Sequence, residues 1–307
     1  MKIVFFTTDP REAGSTPQAG ILDGDQVYAV RENPAPSVLF GLLTDPAQRE
    51  TIQRGKAYSL REILLASPAW NTQAVRDFYA FEQHVKTARA RRGLDMVPEW
   101  YRFPVFYYSN PHAIYGPEAA IPHPRHSQAL DFELEVAAII GRAGVNLSAD
   151  EAEQYIAGYT IMNDWSARDV QREEVTVGLG PAKGKDFATS IGPYLVTLDE
   201  LVDRRSGKGY DLTMIARRNG QELSRGNWSS LYFSFGEMLA RASQDTMLYP
   251  GDVIGSGTVG TGCIVELGPE NSGGWLRPGD VIELEVERLG VLRNSVVEPL
   301  QSIEAKL

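Results

Sequence analysis

The chain has 307 residues, with 40 acidic against 30 basic side chains and a formal net charge of −10. With no long basic run, a nucleic acid or an anionic membrane surface is excluded as the expected partner, and a small molecule takes that place. A single cysteine, Cys263, forms no internal disulfide, the apolar stretch within Met1–Phe6 is too short for a signal peptide, and no run approaches the ~18 apolar residues of a membrane span, so a cytoplasmic enzyme-sized protein is expected.

In chain order, Lys2–Phe6, Ala19–Leu22 and Gln26–Val30 read as short strands around the turn Asp23-Gly24. Leu39, Leu42 and Leu43, then Leu60, Ile63, Leu64 and Leu65, have helical spacing, and Ser67-Pro68-Ala69-Trp70 closes a small β-rich N-terminal domain over residues 1–70. Asp77–Arg92 is predicted to be a helix ending at Gly93 and, with the loop holding Pro98 and Pro104, a lid over about 77–100. Beyond Phe106-Tyr107-Tyr108, strands are predicted over Leu134–Gly141, Pro193–Leu198, Leu212–Arg217, Val253–Gly255 and Val281–Val286. Ser148 and Glu151 form a capping box ahead of a helix over Ala152–Ile156 that stops at Gly158, and a further helix spans Ser234–Ser243. The fold class is mixed α/β and β-dominated, with a catalytic domain over 71–307.

Two glycine-rich stretches imitate nucleotide sites. Gly255-Ser-Gly-Thr-Val-Gly260 matches the dinucleotide fingerprint, but Thr261–Leu267 reads as a second strand where that site requires a helix. Around Gly184-Lys185 the first P-loop glycine is replaced by Leu179 and the Ser/Thr by Asp186. Neither stretch is read as a nucleotide site, and Lys185 needs another explanation.

The chemistry concentrates elsewhere. Glu133 and Glu135 alternate in a strand and share one face. Two parallel carboxylates require a cation or open water. Asp164 follows the apolar run Tyr159–Met162, where a strand would end at a site. Oxygen donors without neighbouring Cys or His favour Mg²⁺ or Mn²⁺, with Ca²⁺ as a further candidate, over zinc. The competing reading is a solvated face with ordinary salt bridges; the apolar run Val136–Ile140 favours a buried, metallated pair. A helical turn would set Arg168 and Gln171 on one face beside the metal, Arg168 suited to a carboxylate, and Lys185 to stabilising a developing enolate. Taken singly, each of these is also explained as a surface charge.

Four histidines are present. His84 lies on the expected lid helix with Glu82 close by, an acid–imidazole arrangement typical of a general base; a plain surface histidine explains it equally well. His112 is a second candidate to line the pocket. His123 and His126 flank Pro124 in a polar loop and are read as bland. Arg89, Arg91 and Arg92 are read as a solvated helix end rather than an anion funnel.

Together, Asp131-Phe-Glu-Leu-Glu135, Asn163-Asp-Trp-Ser-Ala-Arg-Asp-Val-Gln171, Gly184-Lys-Asp-Phe187, Gly255-Ser-Gly-Thr258 and Leu276-Arg-Pro-Gly-Asp280 resemble the fumarylacetoacetate hydrolase family over about residues 75–300. The resemblance implies a catalytic domain of mixed β-sheet roll or barrel type, a homodimer, and Mg²⁺ or Mn²⁺ in the pocket. It implies Glu133, Glu135 and Asp164 as metal ligands, Arg168, Gln171 and Lys185 as substrate-contacting and charge-stabilising residues, and Thr258 at a substrate carboxylate. Fumarylacetoacetase-type members carry a fourth acidic ligand ahead of a catalytic histidine. His112 is placed at that histidine and Val105 at that acid, which argues against fumarylacetoacetate as substrate. The three-carboxylate members use a lid His with a Glu one turn later; His84 fits the histidine, but Thr87 stands at the glutamate position, leaving Glu82 as the substitute.

The expected activity is hydrolysis of a carbon–carbon bond in a β-diketo acid such as an acylpyruvate. The metal would hold the 2-oxo acid end, His84 or His112 would activate water, and Lys185 would stabilise the leaving enolate. The same site also suits an isomerase or decarboxylase acting on an unsaturated 2-oxo dicarboxylate. A metal-stabilised binding protein is a third reading, disfavoured by Lys185, Arg168 and Gln171.

Overall fold

The computed structural model describes residues 1–8 and 16–301. At the N-terminus the apolar runs become β1 (Lys2–Thr7), β2 (Gln18–Asp23) and β3 (Gln26–Val30), antiparallel neighbours in that order, with Gly24 at φ +57° in the tight turn between the last two. Helix α1 (Pro36–Leu43) buries Leu39, Phe40 and Leu43, and α2 (Pro46–Arg49) starts on the Asp45 carboxylate.

The helical spacing expected through Leu60, Ile63, Leu64 and Leu65 is not realised. The segment forms β4 (Arg54–Ser59), a single 3₁₀ turn at Leu60–Glu62 under a Ser59/Glu62 capping box, and β5 (Leu64–Ala66). So few apolar positions do not distinguish the two periods, and pairing with β1, Phe5 to Ala66 and Phe6 to Leu65, decides for strand.

A second correction concerns the helix expected over 77–92. Val75–Phe78 is instead β6, buried at all four positions and paired in parallel with Val253–Gly255. The helix α3 covers only Glu82–Ala90. A four-residue strand fixed by a distant partner leaves no local period to read.

The chain continues through β7 (Phe106–Ser109), β8 (Ile114–Tyr115), β9 (Ala120–Pro122), β10 (Leu130–Asp131) and β11 (Leu134–Ile140). The helix predicted over 152–156 is shifted towards the N-terminus: α4 spans Ala149–Ala152 and passes through one 3₁₀ turn into β12 (Ile156–Asp164). The Ser148 hydroxyl donates to the Glu151 carboxylate at 2.8 Å rather than capping a backbone N–H, and Gly158 is a strand residue, not a helix stop.

Next come β13 (Ser166–Ala167), α5 (Arg168–Glu174), β14 (Thr189–Val196), β15 (Arg205–Ser206), β16 (Gly209–Tyr210), β17 (Thr213–Arg218) and β18 (Gln221–Asn227). Helix α6 (Phe235–Ala242) carries a complete Ser234/Glu237 capping box. β19 (Val253–Gly255) precedes α7 (Ile264–Leu267), a short helix where a strand was expected, and β20 (Val281–Val286) and β21 (Gly290–Val297) close the fold. The start of α7 is held by the Asp131 carboxylate, which accepts the N–H groups of its first two residues, Ile264 and Val265, at 2.7 and 3.1 Å.

Two main sheets result, so the architecture is mixed α/β and β-dominated as expected. The larger has the path β4-β3-β2-β1-β14-β12-β11-β19-β6-β7, with β5 on β1 and β8 on β14; the smaller is β18-β17-β20-β21-β9. Lys2 and Ile3 pair with Val196 and Leu195, so strands from before and after residue 70 share one hydrogen-bonded sheet. β11 and β12 are buried at every position and therefore read as continuous apolar runs rather than alternating ones. A main core includes Tyr159, Trp228 and Phe235, packed edge to face. Burial of each such ring stabilises by about 1.5–3 kcal/mol. Among the described residues no helix is long and apolar enough to cross a membrane.

Candidate active site and metal centre

The acids come from the C-terminal ends of β6 and β12 and from the N-terminal start of β11, which runs antiparallel to β12. Asp77 is on β6 beside Gly255 of β19; Glu135 is on β11 beside Met162 of β12; Asp164 is the last residue of β12. Glu133 precedes β11 and is not itself a strand residue; its N–H is held by Asn163 Oδ1 at 2.9 Å. One carboxylate oxygen from each of Asp77, Glu133 and Glu135 lies within 4.8 Å of the others. Asp164 joins through two side chains. The Lys185 ammonium bridges Glu133 Oε2 and Asp164 Oδ2, and the Tyr107 hydroxyl lies within hydrogen-bond reach of Asp77 Oδ2, at 2.9 Å, and of Asp164 Oδ2.

Asp77 is the acid that the sequence reading missed, because it was assigned to a helix start. Its signal lay in Gly255-Ser-Gly-Thr258. A Cβ at Gly255 would stand 2.4 Å from Asp77 Oδ1, and one at Gly257 would stand 2.4 Å from the Phe78 carbonyl oxygen, with Gly257 at φ +76°. These glycines allow close approach of backbone to acid. The Gly257 N–H then donates to Glu135 Oε2 at 3.2 Å and Asp77 Oδ1 at 3.3 Å, and Thr258 Oγ1 donates to Glu135 Oε1 at 3.4 Å. Thr258, expected at a substrate carboxylate, is buried against a carboxylate of the protein itself.

Arg168 starts α5 and is 8 % exposed. Its Nε donates to Asp131 at 2.8 Å and its terminal nitrogens to Glu133 Oε1 at 2.7 Å and Gln171 Oε1 at 3.1 Å. Its guanidinium is thus committed to holding Glu133, with Gln171 partly exposed beside it.

Five buried carboxyl groups, of Asp77, Asp131, Glu133, Glu135 and Asp164, face the cations of Arg168 and Lys185. Burial, with Asp164 and Glu133 near, pushes Asp77 up to about 7; burial and Glu133 push Asp164 up to about 6 despite Lys185. Burial, Asp77 and Glu133 lift Glu135 well above the carboxylate range. Glu133 moves the other way, since Arg168 and Lys185 outweigh its burial. Burial also raises the Tyr107 phenol, as do Asp164 and Asp77.

This donor set fits a hard divalent cation. It is all oxygen, its charge is under-compensated, and Asp164 Oδ1 is buried without a hydrogen-bond partner among the described residues.

His84, on α3, is 4 % exposed. Its acidic partner is Glu266 of α7, with Nδ1 to Oε2 at 2.7 Å. Glu266 Oε1 accepts the Thr261 N–H at 3.1 Å, and Arg91 Nε donates to the Glu266 carbonyl at 3.0 Å, tying the two helices together. Tyr79 meets the imidazole edge to face at 5.3 Å. Glu82, expected as the partner, turns away to Tyr101 and Lys86 at 2.7 and 2.8 Å. His112 is exposed on the turn after β7, and among the described residues no hydrogen bond joins its ring to the cluster. Val105 is 37 % exposed just before β7, whereas Asp77 brings a further carboxylate to the cluster from β6.

Comparison with known proteins places the chain in a family. A model of the fumarylacetoacetate (FAA) hydrolase C-terminal region matches residues 73–297. An uncharacterized protein of Pyrococcus abyssi is 37 % identical over 196 residues, 63 % of this chain and 80 % of its own. The human mitochondrial oxaloacetate tautomerase FAHD2A is 34 % identical over 196 residues, 63 % of this chain but only 59 % of its own length. Among solved structures, 5-carboxymethyl-2-hydroxymuconate delta-isomerase from Mycobacterium smegmatis has a TM-score of 0.72 at 27 % identity, covering 97 % of this chain and 100 % of that one. Fumarylacetoacetate hydrolase from Exiguobacterium antarcticum has a TM-score of 0.69 at 26 % identity, covering 97 % and 99 %. The matched region contains Asp77, His84, the Glu133–Asp164 acids, Lys185 and Glu266, and the chain belongs to the fumarylacetoacetate hydrolase family.

Proposed function

We propose that the protein is a divalent-metal-dependent hydrolase that cleaves a carbon–carbon bond in a β-diketo acid of the acylpyruvate class. The observation that carries this reading is the buried His84–Glu266 pair near an all-oxygen cluster that also holds Lys185. Asp77, Glu133, Glu135 and Asp164 would hold Mg²⁺ or Mn²⁺, which supplies Lewis acidity and a template for the 2-oxo acid end.

The chain's own residues account for the proton movements. Glu266 at Nδ1 favours the tautomer with the proton on that nitrogen, leaving the Nε2 lone pair to take a proton from water. The resulting hydroxide adds to the distal carbonyl carbon. The bond between that carbon and the central carbon breaks, and the electron pair leaves as an enolate. The Lys185 ammonium stabilises the enolate oxygen, and no other single side chain is expected to lower the barrier as much. Protonation of the enolate carbon by the imidazolium returns His84 to its starting state. Arg168 keeps Glu133 oriented throughout.

A second reading has its own support, since FAHD2A is named an oxaloacetate tautomerase and the Mycobacterium smegmatis protein an isomerase. An enolate formed by moving a proton off carbon in an intact 2-oxo dicarboxylate, held by the same residues and reprotonated without attack by water, gives tautomerisation or isomerisation. Metal-stripped protein incubated with a short acylpyruvate, with and without Mn²⁺ or Mg²⁺, separates the two. Metal-dependent release of pyruvate plus a carboxylic acid supports the hydrolase. Loss of the enol signal of oxaloacetate without any acylpyruvate cleavage replaces it with the tautomerase.

A further inference from the structure

A second set of potential ligands lies beside the oxygen cluster and differs from it in chemistry. His84 Nδ1, Cys263 Sγ and a Glu266 carboxylate oxygen lie within 4.8 Å of one another, and all three residues are buried. The pairwise separations are 2.7 Å for His84 to Glu266, 3.4 Å for Cys263 to Glu266 and 4.0 Å for Cys263 to His84. Ligands at the usual Zn–N, Zn–O and Zn–S lengths on a tetrahedron stand about 3.5 Å apart. The cysteine–carboxylate separation is already at that value, the cysteine–imidazole one must close by about half an ångström, and the imidazole and carboxylate must part by somewhat less than one.

The backbone holds this set in place. Cys263 precedes α7, whose first two N–H groups are fixed by Asp131, and the second Glu266 oxygen is fixed by the Thr261 N–H. Donor type separates the two sets. Four carboxylates select a hard ion, whereas nitrogen, sulfur and one oxygen select a borderline or soft one.

We infer that His84, Cys263 and Glu266 form an inhibitory site for Zn²⁺ or a like thiophilic cation. Binding transfers the thiol proton to solvent, moves the imidazole proton from Nδ1 to Nε2 so that the Nδ1 lone pair meets the ion, leaves a thiolate–metal bond, and completes the ion's fourth position with water. It also draws Glu266 and the imidazole into coordination, so His84 no longer serves as a base. That last consequence rests on the reading of His84 proposed above; the coordination itself does not. The protein would then be activated by hard divalent ions and shut off by zinc through different side chains.

The test uses the full chain with excess Mg²⁺ present, titrated with Co²⁺ as a spectroscopic probe and then with Zn²⁺. Wild type is expected to show a thiolate-to-cobalt charge-transfer band that about one equivalent of Zn²⁺ abolishes. Cys263→Ser and Cys263→Ala lose the band and bind Zn²⁺ at least about tenfold more weakly, while Glu135→Gln, which disrupts the oxygen cluster, keeps it. In the activity assay, Zn²⁺ inhibits wild type at concentrations that leave Cys263→Ser unaffected. Absence of a sulfur band in wild type overturns the inference, as does equal Zn²⁺ affinity in wild type and both cysteine variants. A charge-transfer band together with no inhibition keeps the metal site and discards the assignment of His84 as the base.

Discussion

His84 and Glu266 stand 182 positions apart in the chain and share a buried hydrogen bond of 2.7 Å between Nδ1 and Oε2. In the proposed mechanism the carboxylate orients the ring and keeps the proton on Nδ1, leaving Nε2 to act as the base. His84→Ala should therefore lower kcat by about 10²–10⁴-fold, the usual contribution of a positioned base, and Glu266→Gln should lower it by less. Glu82→Gln should leave kcat within about twofold, because Glu82 bonds Tyr101 and Lys86 on a partly exposed face. Steady-state kinetics of the three variants decide. Equal losses in Glu82→Gln and Glu266→Gln would return the acidic role to Glu82.

Asp77 adds a fourth carboxylate to the three legible from sequence, and it is the one whose oxygens meet the Gly257 N–H and the Tyr107 hydroxyl. Asp77→Asn keeps the shape and removes one charge from the donor set. Mn²⁺ affinity, read by calorimetry, is expected to fall by at least about tenfold, as it does when even groups behind the ligands are changed. Unchanged affinity in Asp77→Asn beside a large loss in Glu135→Gln would restrict the site to Glu133, Glu135 and Asp164.

These acids differ in how far the sequence betrays them. Glu133, Glu135 and Asp164 sit within or next to β11 and β12, whose long apolar runs announce buried strands, so their place near strand ends could be read locally. Lys185 stands out because the P-loop pattern around it fails at Leu179 and Asp186. Asp77 and Glu266 were invisible for the opposite reason. Asp77 lies on a four-residue strand defined by parallel pairing to Val253–Gly255, and Glu266 lies on a four-residue helix defined by the distant Asp131. Neither element carries a period long enough to recognise. The helix expected over 60–65, and the start of the one expected over 77–92, are strand for the same cause, since β1 and β19 supply partners that a local pattern does not encode, while Glu82–Ala90 is helical as expected.

Lys185 offers a prediction in which two readouts move in opposite directions. Its ammonium compensates Glu133 and Asp164 inside the cluster, and although burial disfavours the charge, those two carboxylates hold its pKa above the usual lysine range. Lys185→Met removes a positive charge from the neighbourhood of the metal ligands, so divalent-cation affinity should rise or hold. Removing the group that meets the enolate should lower kcat by about 10²–10³-fold. A fall in metal affinity with kcat unchanged would make Lys185 a structural support for the acids and nothing more.

Asp280 explains the motif Leu276-Arg-Pro-Gly-Asp280 through stability rather than chemistry. Its carboxylate accepts Arg218 Nε at 3.0 Å and Nη2 at 2.6 Å, Asn219 Nδ2 at 2.9 Å and the Arg277 N–H at 2.8 Å, fixing the turn before β20 to the end of β17. Burial raises its pKa, but Arg218, the Arg277 N–H and Asn219 outweigh that and hold it below the usual aspartate value. A group depressed on folding stabilises above the unfolded value of about 3.9, and the contribution is lost as pH falls through the lower folded value. Asp280→Asn should therefore cost about 1.5–3 kcal/mol at pH 7. The gap to wild type should begin to close as pH falls below about 4 and be gone only below the lower folded value, where both chains carry a neutral side chain at this position. Urea unfolding at several pH values reads both quantities. A gap that stays constant down to strongly acidic pH would assign the cost to lost shape and hydrogen-bond geometry instead of charge, because a neutral amide and a protonated acid differ little in size but only the acid titrates.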